Sequence, residues 1–148
     1  DGAWSTVYSA NRYNLTLKEL DQEQLNAFQN YFDVLSALYY YHLTVMWGDV
    51  PYIYATDQLE IGMSYSRTKQ AEIFADLEAN LQESLKALEE KKNESLKDAD
   101  GFFFVSKDVA RILLADIYMY QGKYQEAEPL LAKVITNGFY SLSSSHEY

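Results

Sequence analysis

The chain has no cysteine and only 2 histidines in 148 residues. Without a thiol there is no disulfide, no thiolate nucleophile and no zinc–cysteine site, and the redox compartment stays open. With so few imidazoles, no nucleophile–base spacing and no phosphate-binding glycine loop, the sequence argues against an enzyme, and no metal or cofactor is expected. Basic residues are scarce as well: Lys+Arg 12 stand against Asp+Glu 22, a formal net charge of -10. That balance repels phosphate backbones and anionic lipid, which argues against nucleic acid as a partner, and it also favours solubility. Gly 6 and Pro 2 are too few for a fibrous or low-complexity chain and fit one mostly helical, domain-sized piece. No apolar run is long enough to span a bilayer, and no signal peptide is legible. Because the chain opens on Asp1 and closes on Ser143-Ser144-Ser145-His146-Glu147-Tyr148, it reads as a piece of something longer. No location follows from the missing signals.

What is abundant is aromatic: Tyr 14, Phe 7 and Trp 2. They concentrate in the 37–51 run, where Tyr39-Tyr40-Tyr41-His42 leads into Met46-Trp47 and then stops at Gly48-Asp49-Val50-Pro51. Stepping back in threes and fours from Met46 through His42, Tyr39, Leu35, Phe32, Phe28 and Leu25 traces one apolar face on a long helix. The predicted helix covers residues 22–47, with Asp21 as its N-cap. Gly48 closes it with a left-handed residue, and Pro51 drives Val50 out of the helical region. The segment 48–67 has no helical period and is expected to be a loop with a short extended piece near Tyr52; Asp49 should accept hydrogen bonds that hold it.

A second periodic run, Phe74, Leu77, Leu81, Leu85 and Leu88, predicts a helix over 68–90 with Thr68 as N-cap and a solvated face of Glu72, Asp76, Glu83 and Lys86. Residues 91–101 are charged and aperiodic, hence a loop. Ser106 is the expected N-cap of a helix over 107–120, followed by another over 124–137 that Gly138 terminates. Pro129 inside that helix predicts a mild kink or a late start. Leu114, Ala115, Tyr118, Gly122, Tyr124, Ala127, Leu131 and Val134 fall at the spacings of a tetratricopeptide helix-turn-helix. A short helix is also predicted over 4–13. The predicted class is all-α.

Four of these segments, in order, resemble the SusD/RagB-type outer-membrane nutrient-binding lipoproteins of Bacteroidetes. The first is the tyrosine-rich helix ending in Gly48-Asp49-Val50-Pro51. The second is Ser66-Arg67-Thr68 with the Ile73-Phe74 to Leu85 helix. The third is the run from Ser106-Lys107-Asp108-Val109-Ala110 to Tyr120, and the fourth is Val134-Ile135 with Gly138, Tyr140 and Leu142. The resemblance covers residues 22–142. It departs from the family pattern at Asn30 to Ala37, where an acid and an arginine are lost, and at Asp116, where arginine is frequent; both put a structural ion pair in doubt.

The resemblance implies a tetratricopeptide-like helical domain over 1–148, incomplete at both ends, whose best-matching repeat is 107–137. It implies a non-catalytic binder that captures oligosaccharide at the bacterial cell surface. A lipid anchor outside this piece would hold it to the outer membrane, and a TonB-dependent, SusC-like transporter would receive the cargo. A peptide cargo, or a tetratricopeptide scaffold for protein partners, are the alternatives.

Most of the aromatics, among them Phe32, Tyr39, Tyr40, Tyr118, Tyr120 and Tyr124, are expected to fill grooves between helices. A remainder can serve as flat platforms for sugar rings, with Asn or Asp side chains fixing the hydroxyls. Trp4, Tyr8, Asn11 and Trp47 are the ligand-binding residues singled out; Trp47 could equally pack under the turn that follows it. His42 is expected to be a hydrogen-bonded core residue.

Overall fold

The structure is a computed structural model. It describes residues 22–53, 64–88, 106–138 and 140, with the backbone alone over 22–28. The predicted 4–13 helix and the Asp21 cap lie outside the described residues. Those that are described form four helices and no strand: α1 (Gln22–Trp47), α2 (Gln70–Ala87), α3 (Lys107–Tyr120) and α4 (Tyr124–Thr136). The one piece of β pairing among the described residues is an isolated antiparallel bridge between Val50 and Thr68. No helix among these residues is long and apolar enough to cross a membrane. The chain divides into two compact units, residues 1–88 and 89–148.

In the first unit α1 packs on α2. Among the described side chains of α1, Val34, Ser36, Ala37, Tyr40, Leu43 and Thr44 are buried. This corrects the predicted face. His42 is exposed, its Nδ1 hydrogen-bonded to the Leu38 carbonyl at 2.7 Å rather than placed in the core, and Met46 is 68% exposed. Leu35 and Tyr39 are half-buried. The true seam is offset by one residue, about 100° around the helix. Its members include Ser36, Ala37 and Thr44, which hydrophobicity alone would not select, but whose small side chains let a neighbour approach closely around the single large Tyr40.

The packing face of α2 is Ile73, Phe74, Leu77, Leu81 and Ser84, close to the predicted series, while Leu85 and Leu88 are half-buried. Phe74 meets Tyr41 of α1 with ring centroids 6.5 Å apart. Glu72, Asp76, Glu83 and Lys86 face solvent as expected, and Lys86 pairs with Glu83 at 2.7 Å. Two boundaries need correction. Thr68 is not the N-cap, because it is engaged in the bridge to Val50; Lys69 holds the cap position with extended backbone and no side-chain bond. At the other end, Leu88 turns extended (φ -69, ψ 140), so the helix stops at Ala87 instead of reaching residue 90.

The second unit is a helix-turn-helix. Ala110, Leu113, Leu114, Ala115, Ile117 and Tyr118 of α3 and Ala127 of α4 are buried, with Leu131 and Val134 half-buried. Gly122 closes α3 at φ 75, its amide bonded to the Met119 carbonyl. Lys123 follows, its amide reaching back to the Tyr118 carbonyl and its Nζ lying 5.5 Å from the Tyr118 ring centroid. Ser106 occupies the N-cap of α3, though its side chain makes no capping bond. Asn137 is the C-cap of α4, and Gly138 has φ 71. Of the mild kink or late start expected of Pro129, the late start is not seen: α4 runs from Tyr124 past the exposed proline. Tyr120 and Tyr124 do not fill the groove: they are 49% and 68% exposed.

A buried polar clasp joins the two ends of this hairpin. Asp108, 1% exposed, accepts from Arg111 Nη1 at 2.7 Å and from Asn137 Nδ2 at 2.7 Å. With both carboxylate oxygens engaged, the buried charge is paired and hydrogen-bonded, the condition for tolerating it in a core.

Candidate functional site

The corner that follows α1 is built by the side chains of Thr44, Asp49 and Gln70. Thr44 clamps the exit: its carbonyl accepts from the Gly48 amide at 2.9 Å, and its hydroxyl donates to the Gly48 carbonyl at 2.7 Å. Gly48 takes φ 70, the left-handed geometry that a side chain would strain. Asp49 then caps α2 from outside that helix, its Oδ1 accepting from the Gln70 amide at 2.9 Å. This fills the role expected of Thr68 and satisfies a first-turn amide that would otherwise lack a partner. The Gln70 side chain returns the contact, Nε2 donating to the Thr44 carbonyl at 2.7 Å. One step further, Thr68 donates its amide to the Val50 carbonyl at 2.9 Å.

Tyr40 fixes the chain beyond the corner. Its phenol donates to the Ile53 carbonyl at 3.1 Å and accepts from the Ile53 amide at 2.9 Å, closing a two-point latch from the core of α1. Burial pushes this phenol up to about 12, partly opposed by the bond to the Ile53 backbone. The ring lies edge-on to Tyr52, centroids 4.6 Å apart, and Tyr52 donates its hydroxyl to Asp76 Oδ2 at 2.7 Å. Asn80 Nδ2 shares that oxygen at 3.3 Å.

Trp47 is the last helical residue before this framework and is 62% exposed. The alternative in which it packs under the turn is therefore corrected: the space inside the corner is taken by Thr44 and the Gln70 amide group. Arg67, Lys69 and Asp49 are also exposed around the bridge. The arrangement can bury one face of a flat apolar ring against the indole and offer hydrogen bonds at its rim. It offers no acid–base pair. His42, the one histidine among the described residues, is bonded to a backbone carbonyl, and no group of three His, Cys, Asp or Glu among those residues could hold a metal.

Of the residues singled out in the sequence, Trp4, Tyr8 and Asn11 lie outside the described residues, so Trp47 alone can be located. The latch of Tyr40, the Gln70 contacts and the Asp108–Arg111–Asn137 clasp were not anticipated. The Asp108 to Arg111 spacing of three along a helix is the signal that could have found the ion pair. In the second unit, Met119, Tyr124, Ala127, Leu131 and Ile135 line an open apolar groove of about 330 Å³. Among the described residues Glu128 is the one charged side chain that lines it, too little to orient a hydroxyl-rich ligand.

The helix pair of each unit, with the Gly-Asp-Val-Pro corner after α1, places the described residues in the all-α class. The sequence pattern of the SusD-like family described as starch-binding and associating with the outer membrane matches residues 1–111, and the chain belongs to that family. SusD-like protein P2 of Formosa agariphila is 32% identical over 142 residues, which are 91% of this chain and 26% of that protein. A laminarin-binding SusD-like protein of known structure superposes with a TM-score of 0.75 at 27% identity, over 99% of this chain and 31% of that one. The surface glycan-binding protein A of Bacteroides thetaiotaomicron, solved in complex with laminarihexaose, shares the fold: TM-score 0.75, 19% identity, 95% of this chain and 29% of that one. The chain thus spans between a quarter and a third of the length of these relatives.

Proposed function

We propose that the protein to which this chain belongs is a non-catalytic oligosaccharide binder at the bacterial cell surface. It is held to the outer membrane by a lipid anchor and passes its cargo to a TonB-dependent, SusC-like transporter. The observation that carries the binding role is the exposed Trp47 on a corner fixed by Thr44, Asp49, Gln70 and Tyr40, in a chain of the SusD-like family. A rigid aromatic face loses little entropy when a sugar ring settles on it, and the ring's C–H face supplies apolar burial. The relatives named for laminarin and crystallised with laminarihexaose support a glycan ligand. In this reading Trp4, Tyr8, Asn11 and Trp47 contact the ligand, and no bond is made or broken.

Titration calorimetry of the full-length protein against laminari-oligosaccharides and a panel of plant, host and microbial glycans tests it. Binding of at least one glycan is expected, weakened by about 1–3 kcal/mol in Trp4→Ala or Trp47→Ala, as loss of one aromatic contact would produce. If the intact protein binds extended peptides and no glycan, the cargo is peptide and the glycan reading falls. Co-purification with a TonB-dependent barrel from the native membrane checks the delivery step.

A further inference from the structure

We draw no further inference here: the strongest candidate, the outward apolar groove of the α3–α4 hairpin lined by Met119, Tyr124, Leu131 and Ile135, carries nothing because nothing in the structure shows what covers it.

Discussion

Removing one oxygen, in Tyr40→Phe, isolates the latch from the packing around it. The ring stays in the α1 core and keeps its edge contact with Tyr52, but the Ile53 amide and carbonyl each lose the bond to its hydroxyl. Each such hydrogen bond contributes about 0.5–1.5 kcal/mol. Because Ile53 is half-exposed, water recovers part of this, and the expected loss is about 2 kcal/mol, or about 30-fold in an opening equilibrium. Native-state hydrogen exchange should show the Ile53 amide losing protection by that factor while amides in the middle of α1 change little.

Alkaline pH gives a second readout of the same substitution. The folded phenol holds its proton up to about 12, whereas the unfolded one releases it near 10.0. Between those values the native state binds more protons than the unfolded chain. The stabilisation is therefore complete below pH 10 and is lost as pH rises through 12, at about 1.4 kcal/mol per unit and about 3 kcal/mol in all. Tyr40→Phe lacks that loss, so its urea midpoint should approach that of the parent across this window. Parallel midpoint curves from pH 9 to 12, or an unchanged Ile53 amide, would refute the reasoning.

Gly48→Val should destabilise by more than about 1 kcal/mol in urea melts. Since a Cβ at Gly48 meets nothing within 4 Å, the cost is backbone strain alone, and Gly48→Asn should recover most of it. Arg111→Ala leaves the buried Asp108 carboxylate without its opposite charge and should cost about 3–5 kcal/mol, against about 1–2 for Asn137→Ala, which removes the neutral hydrogen bond to Asp108. Trp47→Ala, on the evidence of its exposure, should leave the melting temperature within about 2 °C of the parent; a drop of ten degrees would mean that the indole is covered in the full-length protein.

How much of this could be read from the sequence depended on whether the signal was local. Helix extents are legible to within a residue for the three runs that carry their own stop, since Gly48, Gly122 and Gly138 all adopt positive φ beside helix ends; the run without one, 68–90, is predicted too long at both ends. Asp49 was legible as a hydrogen-bonding turn residue, since Asx side chains bond nearby backbone. Its partner was not, because the Gln70 amide lies 21 residues away and only the Val50–Thr68 bridge brings it close. The same long-range pairing removed Thr68 from the cap that its side chain would ordinarily favour.

The orientation of α1 was the larger misreading, and its cause bears on the site. A helix with Tyr, Leu, Met and Trp on several faces gives no unique apolar direction, so period alone picks the greasiest stripe. The structure instead buries the side on which small residues let a neighbour in, Ser36, Ala37 and Thr44, with Tyr40 among them, and leaves Met46 and Trp47 outside. With Tyr40 turned inward by that rotation, its hydroxyl can latch Ile53 and hold the chain that leaves the corner. Trp47 stands seven residues on, within about 20° of Tyr40 around the helix, so its 62% exposure comes from its place as the last residue of α1. Turning α1 back by one residue position would unlatch the chain beyond the corner.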